Sequence, residues 1–266
     1  MLSKAQIKFI NSLHQKKYRQ QNEMFIAEGS KIVLDFLKNG AKPYLLIAST
    51  TWIKENAINN SEDIYTINNE TNTKCRIIET EENIIKKCSA LSTPTNILAV
   101  FRYPESKIED IENNLSIVLD NVQDPGNLGT IIRTAEWFGI KNIICSKGTV
   151  DVYNPKVIQA TMGAILGVNI TYTDIKEIIS KHVSPEFPIY GTYMEGENLY
   201  TKKLSNKGFI VMGNEGKGIS KEITRLITEK ISIPNARPGT GIAESLNVAI
   251  ACSIICSEFF RINSYI

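Results

Sequence analysis

The sequence predicts an α/β protein whose larger part carries a mostly parallel sheet with helices on both faces. Three observations predict it. Short β-rich runs alternate with segments of helical spacing along most of the chain. With 266 residues, 42% hydrophobic and 22% charged, the chain can bury a sizeable core without disulfides or structural metal. The alternation breaks at the charged, proline-bearing stretch RYPESKIEDIENN and restarts at LSIVLDNV, which divides the chain into 1–104, a linker over 105–114, and 115–266.

In the first segment, Ile7, Ile10 and Leu13 recur at helical spacing and predict a helix over 4–19, with Lys4, Lys8, Lys16, Lys17 and Arg19 largely elsewhere on it. MFIAEG then reads as a strand, SKIVLDFLKNG as a helix capped by Ser30 and stopped by Gly40, and YLLIAS as a strand. WIKENAIN, IYTIN, EENIIKKCSAL and NILAVFRY continue the alternation. The second segment predicts a strand over 115–122, a helix over 127–138, a strand over 142–146, a helix in NPKVIQATMGAIL and a strand in VNITYT. A further helix, strands PIYGTYM and GFIVMG, helix SKEITRLITE, strand KISIP and a long apolar C-terminal helix complete it.

Composition narrows the function. Cys75, Cys88, Cys145, Cys252 and Cys256 form neither a CxxC pair nor a Cys/His cluster, so no disulfide framework and no metal site is expected, and a reducing cytoplasm fits. The start lacks the apolar core of a secretory signal, and VAIACSIIC is too short to span a bilayer, so no membrane association is expected. A net charge of +2 does not announce a nucleic-acid binder, although the first twenty residues carry basic side chains and no acidic one.

Three loops of the second segment fall where a parallel sheet gathers ligands, at strand ends that lead into helices. In DNVQDPGNLGT, Pro125 and Gly126 turn the chain and Asn127 is placed to cap the next helix. On that helix Leu128, Ile131, Ile132, Ala135 and Phe138 form the apolar stripe, which puts Arg133 at the edge of the buried face in want of an anion. Glu136 or Asp120 would satisfy it, as would a ligand. VMGNEGKGIS supplies Gly213, Gly216, Gly218 and the carboxylate of Glu215, in a spacing that is neither a Rossmann fingerprint nor a P-loop. ISIPNARPGTGIAESLNVA brings Ser245 and Asn247 to the early turns of the last helix, where both residue types also suit helix-end hydrogen bonding.

Together these stretches resemble one family. NxGxxxRTA (Asn127, Gly129, Arg133, Thr134, Ala135), GNEGKGI (Gly213 to Ile219) and SIP with SLNVA (Ser232 to Pro234, Ser245 to Ala249) are similar, in order and spacing, to the three motifs of the SpoU, or TrmH-type, RNA ribose 2'-O-methyltransferases. KKYRQQNEMFIAEGSKIVLDFL resembles the substrate-binding domain that many members carry. The resemblance implies a C-terminal α/β domain with a trefoil knot (SPOUT-type), preceded by a small ribosomal-protein-like α/β domain. It also implies S-adenosylmethionine as cofactor, no metal, a homodimer, and RNA as substrate, ribosomal RNA first and transfer RNA second. By motif position it places cofactor contacts at Gly213, Ile233 and Leu246, and the catalytic set at Asn127, Arg133, Glu215, Ser245 and Asn247. A base-methylating knotted protein and a non-catalytic RNA-binding or ribosome-assembly factor are the other readings. The resemblance leads one to expect a loop several residues shorter than Asn235 to Glu244, and the Arg237-Pro238-Gly239 segment of this loop is a candidate contact for RNA or for the dimer mate.

Overall fold

The computed structural model describes residues 2–56, 65–67, 71–73, 77–105, 108, 110–237 and 244–264. They form two compact units, one from residues within 1–105 and 151–166, the other from residues within 106–150 and 167–266.

The first unit opens with α1 (Lys4–Ser12), α2 (Lys16–Asn22), β1 (Met24–Glu28), α3 (Ser30–Lys38), β2 (Pro43–Ser49), α4 (Thr50–Glu55), β3 (Tyr65–Ile67), β4 (Thr71–Thr73), β5 (Ile77–Thr80), α5 (Glu82–Cys88) and β6 (Ile97–Arg102). Its four-stranded sheet has the order β1-β6-β2-β5, antiparallel across the first two pairs and parallel between β2 and β5. Strand alternation splits β1 between two cores. Met24 and Ile26 join Ile10, Leu13, Ile47 and Ile85, whereas Phe25 packs on Phe36 and Phe101.

The single helix expected over 4–19 is two helices, and a buried arginine accounts for the break. Arg19, 2% exposed, donates from Nη1 to the carbonyls of Leu13 and His14 at 2.9 and 2.8 Å, capturing groups that a continuous helix would engage itself. Its Nε and Nη2 clasp Asp151 Oδ2 at 3.0 and 2.6 Å. Arg19 is therefore structural, unlike the exposed Lys4, Lys8, Lys16 and Lys17. Ser30 does not cap α3 either: Gly29, at φ 96°, holds the N-cap position, and the Ser30 hydroxyl accepts from Trp52 Nε1 at 2.6 Å.

The second unit contributes β7 (Leu115–Leu119), α6 (Pro125–Trp137) and β8 (Asn142–Ser146) before α7 (Pro155–Thr161) joins the first unit, where Tyr153 stacks on Tyr103 with ring centroids 3.8 Å apart. It resumes with β9 (Asn169–Thr173), α8 (Ile175–His182), β10 (Ile189–Asn198), β11 (Gly208–Met212), α9 (Lys221–Thr224), β12 (Glu229–Ser232) and α10 (Val248–Ser264). The six strands run parallel in the order β12-β10-β11-β7-β8-β9. Val118, Ile144, Ile189, Phe209 and Val211 form one core face with Ile175, Ile179 and Ile223 from α8 and α9. Elsewhere in this unit α10 lies against α6, with Thr134 Oγ1 and Ser253 Oγ 2.7 Å apart and the rings of Phe138 and Phe260 at 5.7 Å. Because β7, β11 and β12 all point the same way, the loops at their C-terminal ends leave one edge of the sheet.

Replacing Arg19 by Met would leave the Asp151 carboxylate without its cation and the carbonyls of Leu13, buried, and His14, partly buried, without their shared donor. The expected loss is about 3–5 kcal/mol, read from urea unfolding monitored by tryptophan fluorescence, and a midpoint within error of the parent would contradict the role given to this side chain.

Candidate functional site

The loop after β7 is shaped by its helix start. Asp124, not Asn127, is the N-cap of α6: its Oδ1 accepts the Asn127 backbone N–H at 2.8 Å, and Pro125 occupies the first helical position. Asn127 is thus three residues into the helix, which starts two residues earlier than the periodicity predicts. Relieved of capping, its side chain is available for contacts across the site.

Those contacts run to two other loops. Asn127 Nδ2 donates to Glu215 Oε1 at 3.0 Å, and its Oδ1 accepts from Asn247 Nδ2 at 2.9 Å. Asn127 is 9% exposed, so its carboxamide is held by a donor on one side and an acceptor on the other, leaving one N–H and one lone pair for another molecule. Asn247 lies before α10 rather than within it and caps it: Oδ1 accepts the N–H groups of Ala249 and Ile250 at 2.9 and 3.3 Å. Helix-end bonding and contact with Asn127 are both true of this residue.

Glu215 Oε1 also accepts the backbone N–H of Asp124 at 3.0 Å, and Oε2 accepts from the Gln123 backbone N–H and from Asn214 Nδ2 at 3.2 and 3.3 Å. Partial burial pushes its carboxyl upward, but hydrogen bonds from Asn127 and from the backbone amides of Asp124, Glu215 itself and Gln123 together outweigh this and hold it below the usual carboxylate value. Glu215 is consequently charged and a poor proton acceptor near neutrality.

Of the other expected catalytic residues, Arg133 and Ser245 stand apart from this chain of hydrogen bonds. Arg133 is exposed rather than at the edge of the buried face, and its side chain makes no hydrogen bond or ion pair among the described residues, so neither Glu136 nor Asp120 satisfies it. The reason is helical geometry: six residues beyond Asn127, it projects from α6 about 120° around and roughly 9 Å along the axis. Ser245 is exposed, precedes α10, and makes no hydrogen bond among the described residues.

Gly213 and Ile233 come directly after β11 and β12, at the edge that also bears Asp124 and Asn127. Gly213 is buried, and an added Cβ would come within 2.3 Å of the Gly218 carbonyl carbon and the Ile219 nitrogen, so the loop's own closure demands glycine there. Ile233 is half-buried and Leu246 is 51% exposed, an apolar side chain uncovered beside Asn247. Uncovered aliphatic surface of this kind suits a flat apolar ring such as adenine. Of the long loop, residues 238–243 lie outside the described residues, so Pro238 and Gly239 do too; Arg237 is exposed. No group of His, Cys, Asp and Glu among the described residues is arranged to hold a metal, and no described helix is long and apolar enough to cross a membrane.

Residues 114–257 match the model of the SpoU rRNA Methylase family, and residues 4–99 match an MRM3-like substrate binding domain. The chain is 29% identical over 251 residues to the 23S rRNA (guanosine(2553)-2'-O)-methyltransferase RlmP of Bacillus subtilis, covering 94% of this chain and 93% of that protein. A TrmH-family structure from Porphyromonas gingivalis superposes with a TM-score of 0.81 at 35% identity, over 97% and 98% of the two chains. An AdoMet-bound rRNA methyltransferase from Sinorhizobium meliloti gives 0.81 at 29% identity, over 99% and 97%.

The Glu215 hydrogen bonds set a pH dependence. With the folded-state value depressed, the carboxylate contributes stability that is complete above the ordinary glutamate value and is lost as pH falls through the lowered one. Exchange protection of the Gln123 and Asp124 amides should therefore persist down through that range and collapse below it. In Glu215→Gln that acid step should be missing; finding it unchanged in the variant would assign it to another group.

Proposed function

The chain belongs to the SpoU rRNA methylase family, and from that membership we propose an S-adenosylmethionine-dependent enzyme that methylates a ribose 2'-hydroxyl of ribosomal RNA. The observation that carries this reading is the hydrogen-bonded series Glu215–Asn127–Asn247, which joins three sequence-distant motifs at the edge of the sheet. A non-catalytic RNA-binding protein of this fold would have no use for the N–H and lone pair that the series leaves free on Asn127. Transfer RNA is the second substrate class.

S-adenosylmethionine supplies an electrophilic methyl group when bound, and the backbone at Gly213 with the side chains of Ile233 and Leu246 would hold it. The chain's own residues have to orient a weakly acidic hydroxyl and accommodate the charge that develops on it. Asn127, fixed at both ends, offers its remaining N–H and lone pair to the ribose. Glu215 and Asn247 hold that carboxamide in its orientation, and Ser245 offers a hydroxyl two residues before Asn247. Arg133 presents a planar fork of N–H donors, so its part is to orient a phosphate and stabilise the forming alkoxide, whose proton leaves to solvent water.

The same reading assigns RNA docking to residues 1–104, with exposed Lys4, Lys8, Lys16 and Lys17 facing phosphates, a linker to 105–114 and methyl transfer to 115–266. It also includes a trefoil-knotted C-terminal domain, a cytoplasmic location and a homodimer. The homodimer is supported by apolar surface on α6 and α10, where Trp137 is 80%, Ile250 50% and Phe260 41% exposed. Arg133 lies one turn from Trp137 on α6, so a partner covering that face would also surround the guanidinium.

Total RNA modified by the protein should yield an alkali-resistant dinucleotide, because a 2'-O-methyl group blocks cleavage at its linkage; an alkali-sensitive, methylated product would point to base methylation instead. Arg133→Lys keeps the cation but loses the planar fork, so turnover should drop by orders of magnitude with little change in calorimetric affinity for S-adenosylmethionine. Near-normal turnover in that variant would falsify the role given to Arg133.

A further inference from the structure

The loop that carries Glu215 is fastened at both ends, and both fastenings lead to Asp120. At the far end the Ser220 backbone N–H donates to Asp120 Oδ2 at 2.7 Å. At the near end Asn214 Nδ2 donates to the Asn121 carbonyl at 2.7 Å. Asn121 is left-handed, at φ 59°, and its side-chain Nδ2 is tied to Asp120 Oδ1 at 2.9 Å while its backbone N–H donates to Ser146 Oγ at 2.9 Å. Asp120 thereby holds one fastener directly and steadies the residue that receives the other.

Between the fastenings the loop is closed on itself. Asn214 and Gly218 exchange backbone hydrogen bonds at 3.0 and 2.9 Å, and Asn214 Oδ1 accepts the amides of Gly216 and Lys217 at 3.1 and 3.0 Å. A loop so stiffened moves as a piece, so its height above the sheet is decided where it is bolted. Asp120 itself is 3% exposed and forms no ion pair among the described residues. Burying a carboxylate on neutral donors alone is costly, and packing has no use for the charge. Acceptor count explains it: two donors, Ser220 N–H and Asn121 Nδ2, face two oxygens, and asparagine would turn an amide donor toward one of them.

We propose that Asp120 is a positioning residue for methyl transfer, setting the Glu215 loop, through the Ser220 amide and Asn121, at the height where Glu215 grips Asn127. The inference rests on the proposed methyltransferase reading for its functional half and on the hydrogen bonds alone for its structural half. Asp120→Asn preserves size and shape, so its fold is testable by thermal unfolding before any assay.

With tritiated S-adenosylmethionine and total RNA from cells lacking the protein, Asp120→Asn should lower kcat by ten- to hundredfold. In a Glu215→Gln background the same change should cost less than twofold, because the grip it serves is already weakened. Equal fold-losses in both backgrounds, or a single variant within twofold of the parent, would overturn the proposal. Amide exchange tests it independently of activity: Gln123 and Asp124, whose N–H groups are held by Glu215, should exchange at least tenfold faster in Asp120→Asn, and unchanged protection there would also overturn it. A parent protein that transfers no methyl group to RNA, yet shows the expected exchange change in the variant, would sink the enzyme reading and leave the positioning of the loop intact. Should Asp120→Asn unfold, Ser220→Pro removes the same N–H at a residue whose φ of −62° and ψ of 153° proline accepts, and the same two readouts decide.

Discussion

The Asn127 carboxamide is the constraint on which the site turns. A buried amide must find partners for both its oxygen and its nitrogen, and here they come from side chains 88 and 120 residues further along the chain. Such partners meet because a parallel sheet stacks its strand ends on one edge: β7 delivers the helix that bears Asn127, β11 delivers Glu215, and the chain beyond β12 returns with Asn247. Remove the parallel order and the three residues have no reason to be neighbours. The converse also holds, since the amide's two bonds tie three otherwise independent loops into one piece.

Glu215 shows two electrostatic effects in competition. Withdrawal from water favours the neutral acid, whereas each N–H directed at the carboxylate favours the charged form. Several donors converge on it, two of them backbone amides preceding α6, where the unpaired N–H groups of a helix start make a region receptive to negative charge. The donors prevail. In chemical terms the most conspicuous carboxylate of the site has traded basicity for grip, and a side chain so engaged serves as a strut for Asn127 rather than as a proton acceptor.

How much of this is legible in the amino acids alone differs residue by residue. The α/β class and the succession of strands in the second unit are readable from periodicity, because buried parallel strands advertise themselves as unbroken Val, Ile and Leu runs. That Asn127, Glu215 and Asn247 belong to three motifs at strand ends is legible, but the place of Asn247 just before α10 rather than within it is not, nor is their mutual bonding, since spacing along the chain carries no distance across a sheet. The cap of α6 is also legible, at Asp124 rather than at Asn127: Asp before Pro is the stronger N-terminal signal, and it moves the helix start to Pro125. Arg19 is hidden for a different reason. Among neighbouring lysines it looks like one more surface charge, and its burial depends on Asp151, 132 residues away. Asp120 reads in sequence only as a salt-bridge partner for Arg133, because nothing local distinguishes a carboxylate that binds amides from one that binds a cation.

Arg133 presents the opposite situation to Asn127. Every bond that orders the hydrogen-bonded series is made within the second unit, yet the arginine stands on the same helix without a partner among the described residues. An exposed guanidinium is strongly solvated and exerts little pull on an anion, because water both competes for its donors and screens its charge. Its neighbour one turn on, Trp137, is a large aromatic ring left almost wholly in water, which is unfavourable for an isolated chain. Both anomalies would be removed by the same event. Covering this face of α6 with another surface would bury the indole, exclude water around the guanidinium, and make its fork a far stronger site for a phosphate or a nascent alkoxide. The dependence of the arginine on a neighbour and the stability of the neighbour's contact would then have one physical origin.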